Sequence, residues 1–387
     1  MRPWRTLAFF PFNKRIPVAL FADSDPAARP RRSRGSTVGW SLILLAMLVT
    51  VVVALVPSPY VIEQPGPVFD TLGQVEVGGD EVPLIDIADA TTYPTSGSLN
   101  MLTVSINGNR DNRLNWFQVA SAWFDSSKAV VPLDNVYPAG VTVEQSNEQS
   151  KTDMQNSQQE AIAAALSQLD YDFTTTLEVV DVGKDTPADG QLQAGDTIVS
   201  VDGQTFSDVT GLKAAIAANG VDAPATVVVE RDGVEQTLAI TPVMSTGANP
   251  APILGITVKG NFVFPIDVTI QLENVGGPSA GQMFALGIID KLTPGELTGG
   301  QDIAGTGTIT GDGTIGPIGG IRQKMYGAVR AGADYFLAPV DNCDEVVGHV
   351  PDGLDVFAVT TLDDSLAVLD AVSTGGSTAG LPTCQAK

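Results

Sequence analysis

Residues 265–292 read PIDVTIQLENVGGPSAGQMFALGIIDKL. The first eight, Pro265 to Leu272, alternate as a strand does, and the apolar positions Met283, Phe284, Leu286, Ile288 and Ile289 follow a helical spacing. Between them GGPSAG, Gly276 to Gly281, is a turn of small residues, so Ser279 stands where an extended segment becomes a helix. Free N–H groups and the positive end of the helix dipole gather at such a point and can stabilise a developing oxyanion. Serine is also a favoured helix N-cap. On this stretch alone the capping and nucleophilic readings stand level.

A serine nucleophile needs a base. The only histidine, His349, lies in a Gly-His-Val-Pro context that reads as a loop. Lysine is the alternative, because burial lowers an amine from its usual pKa of about 10.4 toward neutrality and lets it accept a proton. Residues 314–339, TIGPIGGIRQKMYGAVRAGADYFLAP, place Lys324 on a helix expected from about Gly320, followed by an apolar strand from Tyr335 to Ala338. Taken singly, a helix lysine is an ordinary surface residue.

The combination carries more than its parts. GPSAG at 277–281, TGTIT at 306–310, PIGGIRQK at 317–324 and the A-x-x-A-G-A that follows resemble, in order and spacing, the Lon-type serine peptidase domain, over about residues 250–372. That resemblance implies Ser279 as nucleophile, Lys324 as general base 45 residues later, and Thr306 as the residue orienting the lysine amine. It implies an oxyanion site in the backbone around Pro278, Ser279 and Ala280, and neither cofactor nor metal. Two positions depart from the family pattern. Gly276 stands where an acid often precedes GPSA, and Thr308 replaces the glutamate of T-G-E.

Upstream, residues 171–243 form a second unit. Leu177, Val179 and Val180 read as a strand; LQAGDTIVSVDGQTF at 192–206 supplies a strand at Ile198 to Val201 and an Asp202-Gly203 hairpin turn. A helix from Val209 to Ala218 and strands at Thr226 to Arg231 and Gln236 to Val243 complete it. The L-x-x-G-D-x-I-x-x-V-D-G pattern resembles a PDZ domain, which implies binding of extended peptides by strand addition. The carboxylate-binding loop is expected near Leu169 to Phe173, where Asp170 and Asp172 disfavour a peptide carboxylate. Residues 57–160 read as a β-rich region with one helix near Asn115 to Phe124; GGD at 78–80 and TSGSLNMLTVSI at 95–106 loosely resemble the start of a Lon peptidase domain, which implies that this region packs on that domain and that the PDZ unit is an insertion. A polar stretch, Glu144 to Glu160, leads to a helix expected at Ala161 to Leu169.

The chain has 387 residues, with 21 Lys+Arg against 44 Asp+Glu. Eight of the basic residues and two acids precede residue 38, leaving 13 basic against 42 acidic beyond it. So acidic a body does not neutralise phosphates, which excludes nucleic acid as a partner. No charge falls between Arg34 and Glu63, and Val38 to Val56 reads VGWSLILLAMLVTVVVALV. Nineteen residues rise about 28 Å, close to a bilayer's ~30 Å core. The run exceeds a signal-peptide core, and no A-x-A site follows. A retained anchor is therefore expected at 38–56, with residues 1–37 as a basic cytoplasmic tail and the body outside the cell membrane. Cys343 and Cys384 are then candidates for a disulfide that ties down the tail at 373–387.

The expected fold class is α+β: a single N-terminal transmembrane helix, a β-rich PDZ domain and an α/β Lon-type proteolytic domain. The order of these parts resembles the bacterial membrane-anchored PDZ-Lon family, and no G-x-x-x-x-G-K-[ST] phosphate loop is present. The expected function is an ATP-independent serine endopeptidase acting on protein or peptide substrates. A homo-oligomer is implied by the resemblance alone. The competing reading is a non-catalytic PDZ-based binding protein.

Overall fold

The computed structural model describes residues 34–138, 140–206, 208–246 and 250–385; residues 1–33 of the expected tail lie outside the described residues. The chain divides into two compact units, Met1–Val52 and Val53–Lys387.

The helix Arg34–Leu55 belongs to the first unit as far as Val52. Its described side chains are apolar on every face, Leu42, Ile43, Leu44, Met47 and Leu48 among them, and all of these are exposed. Among the described residues no helix is long and apolar enough to cross a membrane.

Two sheets organise the second unit. The larger has six strands in the order 355–359, 335–339, 302–305, 98–107, 60–70 and 129–132. Its first four run parallel, and Tyr60–Asp70 is antiparallel to both of its neighbours. Strands from before residue 108 and after residue 301 thus share one sheet. Alternate side chains of the central strands supply two cores. Leu99, Ile303 and Leu337 pack with Phe284 and Ile288 of the helix Gly281–Leu292, whereas Leu102, Ala304 and Phe336 pack with Ile321, Met325 and Ala328 of the helix Ile321–Ala331. Both faces are covered, so these strands are short apolar runs. Cys343 and Cys384 are joined, and Ala358 N–H donates to the Pro382 carbonyl at 2.9 Å, which holds the tail beside the edge strand Asp355–Val359.

The smaller sheet has five antiparallel strands in the order 234–240, 225–231, 197–201, 174–182 and 256–263. The helix Val209–Asn219 packs against its last strand. Residues 256–263, expected within the unit beginning at 250, therefore belong to the sheet of the preceding one. Their alternation says only that they form a strand; the partner, Thr174–Val182, is a matter of tertiary pairing.

The polar stretch before residue 161 is also not what its composition suggests. Val143–Gln168 is one helix, begun by a capping box in which Thr142 Oγ1 accepts from Gln145 N–H and the Gln145 side chain accepts from Thr142 N–H. Its buried face runs through Met154, Ser157, Ala161 and Ala164, so a serine interrupts that stripe in a hydrophobicity pattern.

Candidate active site

Ser279 occupies the turn immediately before the helix Gly281–Leu292. Ala280 is the N-cap residue and makes no side-chain cap bond, so Ser279 does not serve as the cap. Instead Lys324 Nζ donates to Ser279 Oγ at 2.6 Å and to Thr306 Oγ1 at 2.8 Å. Thr306 Oγ1 in turn donates to the Ser279 carbonyl at 2.9 Å, and Gly307 N–H reaches the same oxygen at 3.0 Å. Three residues spread over 45 positions are thus closed into one cluster.

Each is positioned by its element. Thr306 directly follows the strand Asp302–Gly305, which ends at the sheet's centre. Lys324 lies on the first turn of the helix Ile321–Ala331, entered through Gly320 at φ +69°. A Cβ on Gly320 would lie 2.7 Å from Val104 Cγ2, so the second glycine of PIGGIRQK is needed both for its backbone conformation and for its lack of bulk. Lys324 is 2% exposed, and its burial lowers its pKa to about 7. Near neutral pH a large share of such an amine is uncharged and able to take a proton from the serine. Activity limited by this base rises with pH through about 7 and levels off above it. A kcat/KM profile from pH 5 to 9 checks this; a flat profile contradicts it.

The expected oxyanion backbone needs one correction. Pro278 has no N–H, and its carbonyl accepts from Ser157 Oγ at 2.9 Å. The amides of Ser279 and Ala280 have no acceptor among the described residues, which leaves them as the donors. In front of them lies a cavity of about 660 Å³, walled by residues 101–107, 274–280, Gly319 and Lys324. Strand Ser98–Asn107 is paired with Asp302–Gly305 only as far as Met101, so on that side residues 102–107 present an unpaired edge to the cavity. Extended chains add to such edges.

His349 is exposed, its Nδ1 3.1 Å from the Val347 carbonyl, and it does not line the cavity. Among the described residues no group of three or more His, Cys, Asp or Glu could hold a metal ion. Gly276 packs against the long helix, with the position of a Cβ 2.8 Å from Ser150 Cβ, so this site leaves no room for an acid at that position. Thr308 pairs with Gly316 in a two-residue ladder. Leu169 to Phe173 merely link the long helix to the strand Thr174–Val182. The segment that enters the edge strand Ile256–Val263 is instead Leu254-Gly255, beside the helix Val209–Asn219.

Sequence reasoning missed the long helix as part of this site. Met154 lines the cavity and Ser157 holds Pro278, yet both lie over 100 residues from Ser279 in a stretch with no motif. The same helix carries Glu160, 6% exposed, which accepts from Val209 N–H at 3.1 Å and Gly311 N–H at 2.8 Å. Burial, then the nearby Asp208, raises its pKa from 4.5 to about 8. Below pH 4.5 this group is protonated whether folded or not; between 4.5 and about 8 it is ionised only when unfolded. Its contribution to stability is therefore lost as pH rises through that window, at up to about 1.4 kcal/mol per pH unit. Urea midpoints at pH 5 and 8 should fall less in Glu160→Gln than in the parent; equal falls would contradict the assignment.

Two family models match the chain. Residues 273–371 match the Lon protease (S16) C-terminal proteolytic domain, and residues 140–241 match the PDZ domain. The chain carries a PDZ domain and a Lon-type proteolytic domain. The latter is a peptidase domain of the serine type. The PDZ match begins before residue 171 and includes the whole of the long helix. Lon protease 1 of Sorangium cellulosum is 43% identical over 94 residues, covering 24% of this chain and 11% of that protein. Lon protease 2 of Herpetosiphon aurantiacus is 39% identical over 118 residues, covering 29% and 14%. The matched region thus spans less than a sixth of either relative. A solved PDZ domain of an SdrC-like protein from Listeria innocua is 25% identical over 21% of this chain and 92% of that one, with a TM-score of 0.20.

Proposed function

We propose that the protein is a membrane-anchored, ATP-independent serine endopeptidase that cleaves extracytoplasmic proteins, with its PDZ domain recruiting substrates or partners. The observation that carries the catalytic part is the bond between Ser279 Oγ and a buried lysine amine whose pKa is lowered to about 7, so that about half of it is uncharged at pH 7. Lys324 takes the Ser279 proton as the hydroxyl oxygen attacks a peptide carbonyl. The amides of Ser279 and Ala280 receive the oxyanion, and the lysine returns the proton to the departing amine. Water then repeats the cycle on the acyl-enzyme. Thr306 keeps the amine aimed at the serine throughout. The substrate lies extended along residues 102–107, which leads its carbonyl to Ser279.

The anchor rests on the uncharged run 38–56 and the basic residues before it. The Cys343–Cys384 bond supports an oxidising compartment for the body. A chain with no phosphate-binding loop has no visible motor, so flexible or unfolded substrates suit it. Dye-labelled unfolded casein, incubated with the full chain in detergent without nucleotide, should be cut at a rate that ATP does not change. No cleavage would overturn the enzyme reading, and recovery in the soluble fraction after carbonate extraction of cells would overturn the anchor.

A further inference from the structure

The long helix Val143–Gln168 lies between two features that the peptidase chemistry leaves unexplained. The first is the open edge of the five-stranded sheet. Strand Ile256–Val263 ends that sheet and pairs on one side only, with Val258 opposite Val179. Val179 turns both backbone groups toward its other neighbour, donating to the Asp196 carbonyl and accepting from Gly195 N–H, each at 2.8 Å. In an antiparallel ladder the residue facing such a position also points outward, so the Val258 carbonyl faces the open edge. Asn156 Nδ2 of the long helix donates to that carbonyl at 3.0 Å. The helix therefore occupies an acceptor that an added peptide strand would need.

The second feature is the turn ahead of the nucleophile. Ser157, the residue after Asn156, donates through Oγ to the Pro278 carbonyl at 2.9 Å, and Gly277 N–H donates to the Ser150 carbonyl at 2.8 Å. Ser157 is 3% exposed, and Gly276 already touches Ser150 closely. The turn bearing Ser279 is thus held by the helix that caps the open strand.

We infer that this helix couples the two: an extended peptide that adds to Ile256–Val263 must displace Asn156 from Val258, and this loosens Ser157 from Pro278 and slows turnover at Ser279. Ser157 is a positioning residue for the nucleophile, and Asn156 makes that position depend on the strand edge. The link is reciprocal, so a substrate that seats the turn firmly also closes the edge. The kinetic arm of the test rests on the peptidase reading; the exchange arm does not.

The test compares the full chain with Asn156→Ala, Ser157→Ala and the double variant. Hydrogen exchange is followed at residues 256–260 and 276–280, and kcat and KM are measured on dye-labelled casein. Asn156→Ala removes a hydrogen bond to the PDZ strand, yet should speed exchange at both segments and lower kcat about fivefold with KM unchanged, the worth of one hydrogen bond. The double variant should be no slower than Ser157→Ala, because both act through one contact. Alanine favours the helix, and unchanged exchange in residues 281–292 would show that the fold is kept. Faster exchange confined to 256–260, an unchanged kcat in Asn156→Ala, or additive losses would overturn the coupling. If the parent chain cut no casein, the peptidase reading would fail while the exchange result still decided the coupling.

Discussion

Replacing Ser279 by alanine should lower peptide cleavage by a factor of about 10⁴ or more, with no loss of fold. The Ser279 hydroxyl bonds to Lys324, and the helix behind it takes no cap from the serine side chain, so its removal deletes the nucleophile and little else. Lys324→Met should be as damaging to activity for a different reason. Methionine fills the 2%-exposed site but cannot accept a proton, and it relieves the cost of burying an amine with no carboxylate beside it. The melting temperature should therefore hold or rise while cleavage disappears. Lys324→Arg offers no rescue, since a guanidinium stays charged. Casein cleavage followed by gel, beside thermal melts of each variant, separates these outcomes. Activity retained in both Ser279→Ala and Lys324→Met would eliminate the dyad.

Cys384→Ser should reduce stability by about 4 kcal/mol, because the Cys343–Cys384 bond closes a loop of 41 residues in the unfolded chain. The bond also holds the tail against the edge strand Asp355–Val359, through the Ala358 to Pro382 hydrogen bond. Catalytic rates at low temperature should change little, since neither cysteine lines the cavity. Urea denaturation of the variant and of the parent, with and without a reductant, provides the measurement. The reduced parent should match the variant; a parent unaffected by reductant would show that the bond does not stabilise the body.

Much of the candidate site was legible along the chain because its parts lie in short motifs that together resemble the Lon-type domain. GPSAG is a strand-to-helix turn of small residues, and the second glycine of PIGGIRQK is demanded by a left-handed backbone against Val104. The PDZ strands were legible for a similar reason, through hairpin turns such as Asp202-Gly203. Three features resisted. Val143–Gln168 is a helix whose buried stripe includes a serine, and polar composition hides such a stripe. Ile256–Val263 is a strand by its alternation, but nothing in it names Thr174–Val182 as the partner. Pro278 falls within the oxyanion turn by position, yet lacks the proton to contribute.

The sequence by itself singled out Ser279, Thr306 and Lys324 as the candidate site, through motifs that together resemble the Lon-type peptidase domain although none decides alone. It also determined that the charge is divided, basic before residue 38 and acidic after it. Only the tertiary structure decided that Lys324 is dry enough to act near neutral pH, because desolvation comes from side chains distant in sequence. It alone decided the order in which the strands from before residue 108 join the larger sheet, and that one helix touches both the PDZ edge and the turn bearing Ser279. Contacts between segments more than 100 residues apart depend on how whole elements pack, and no local pattern encodes them.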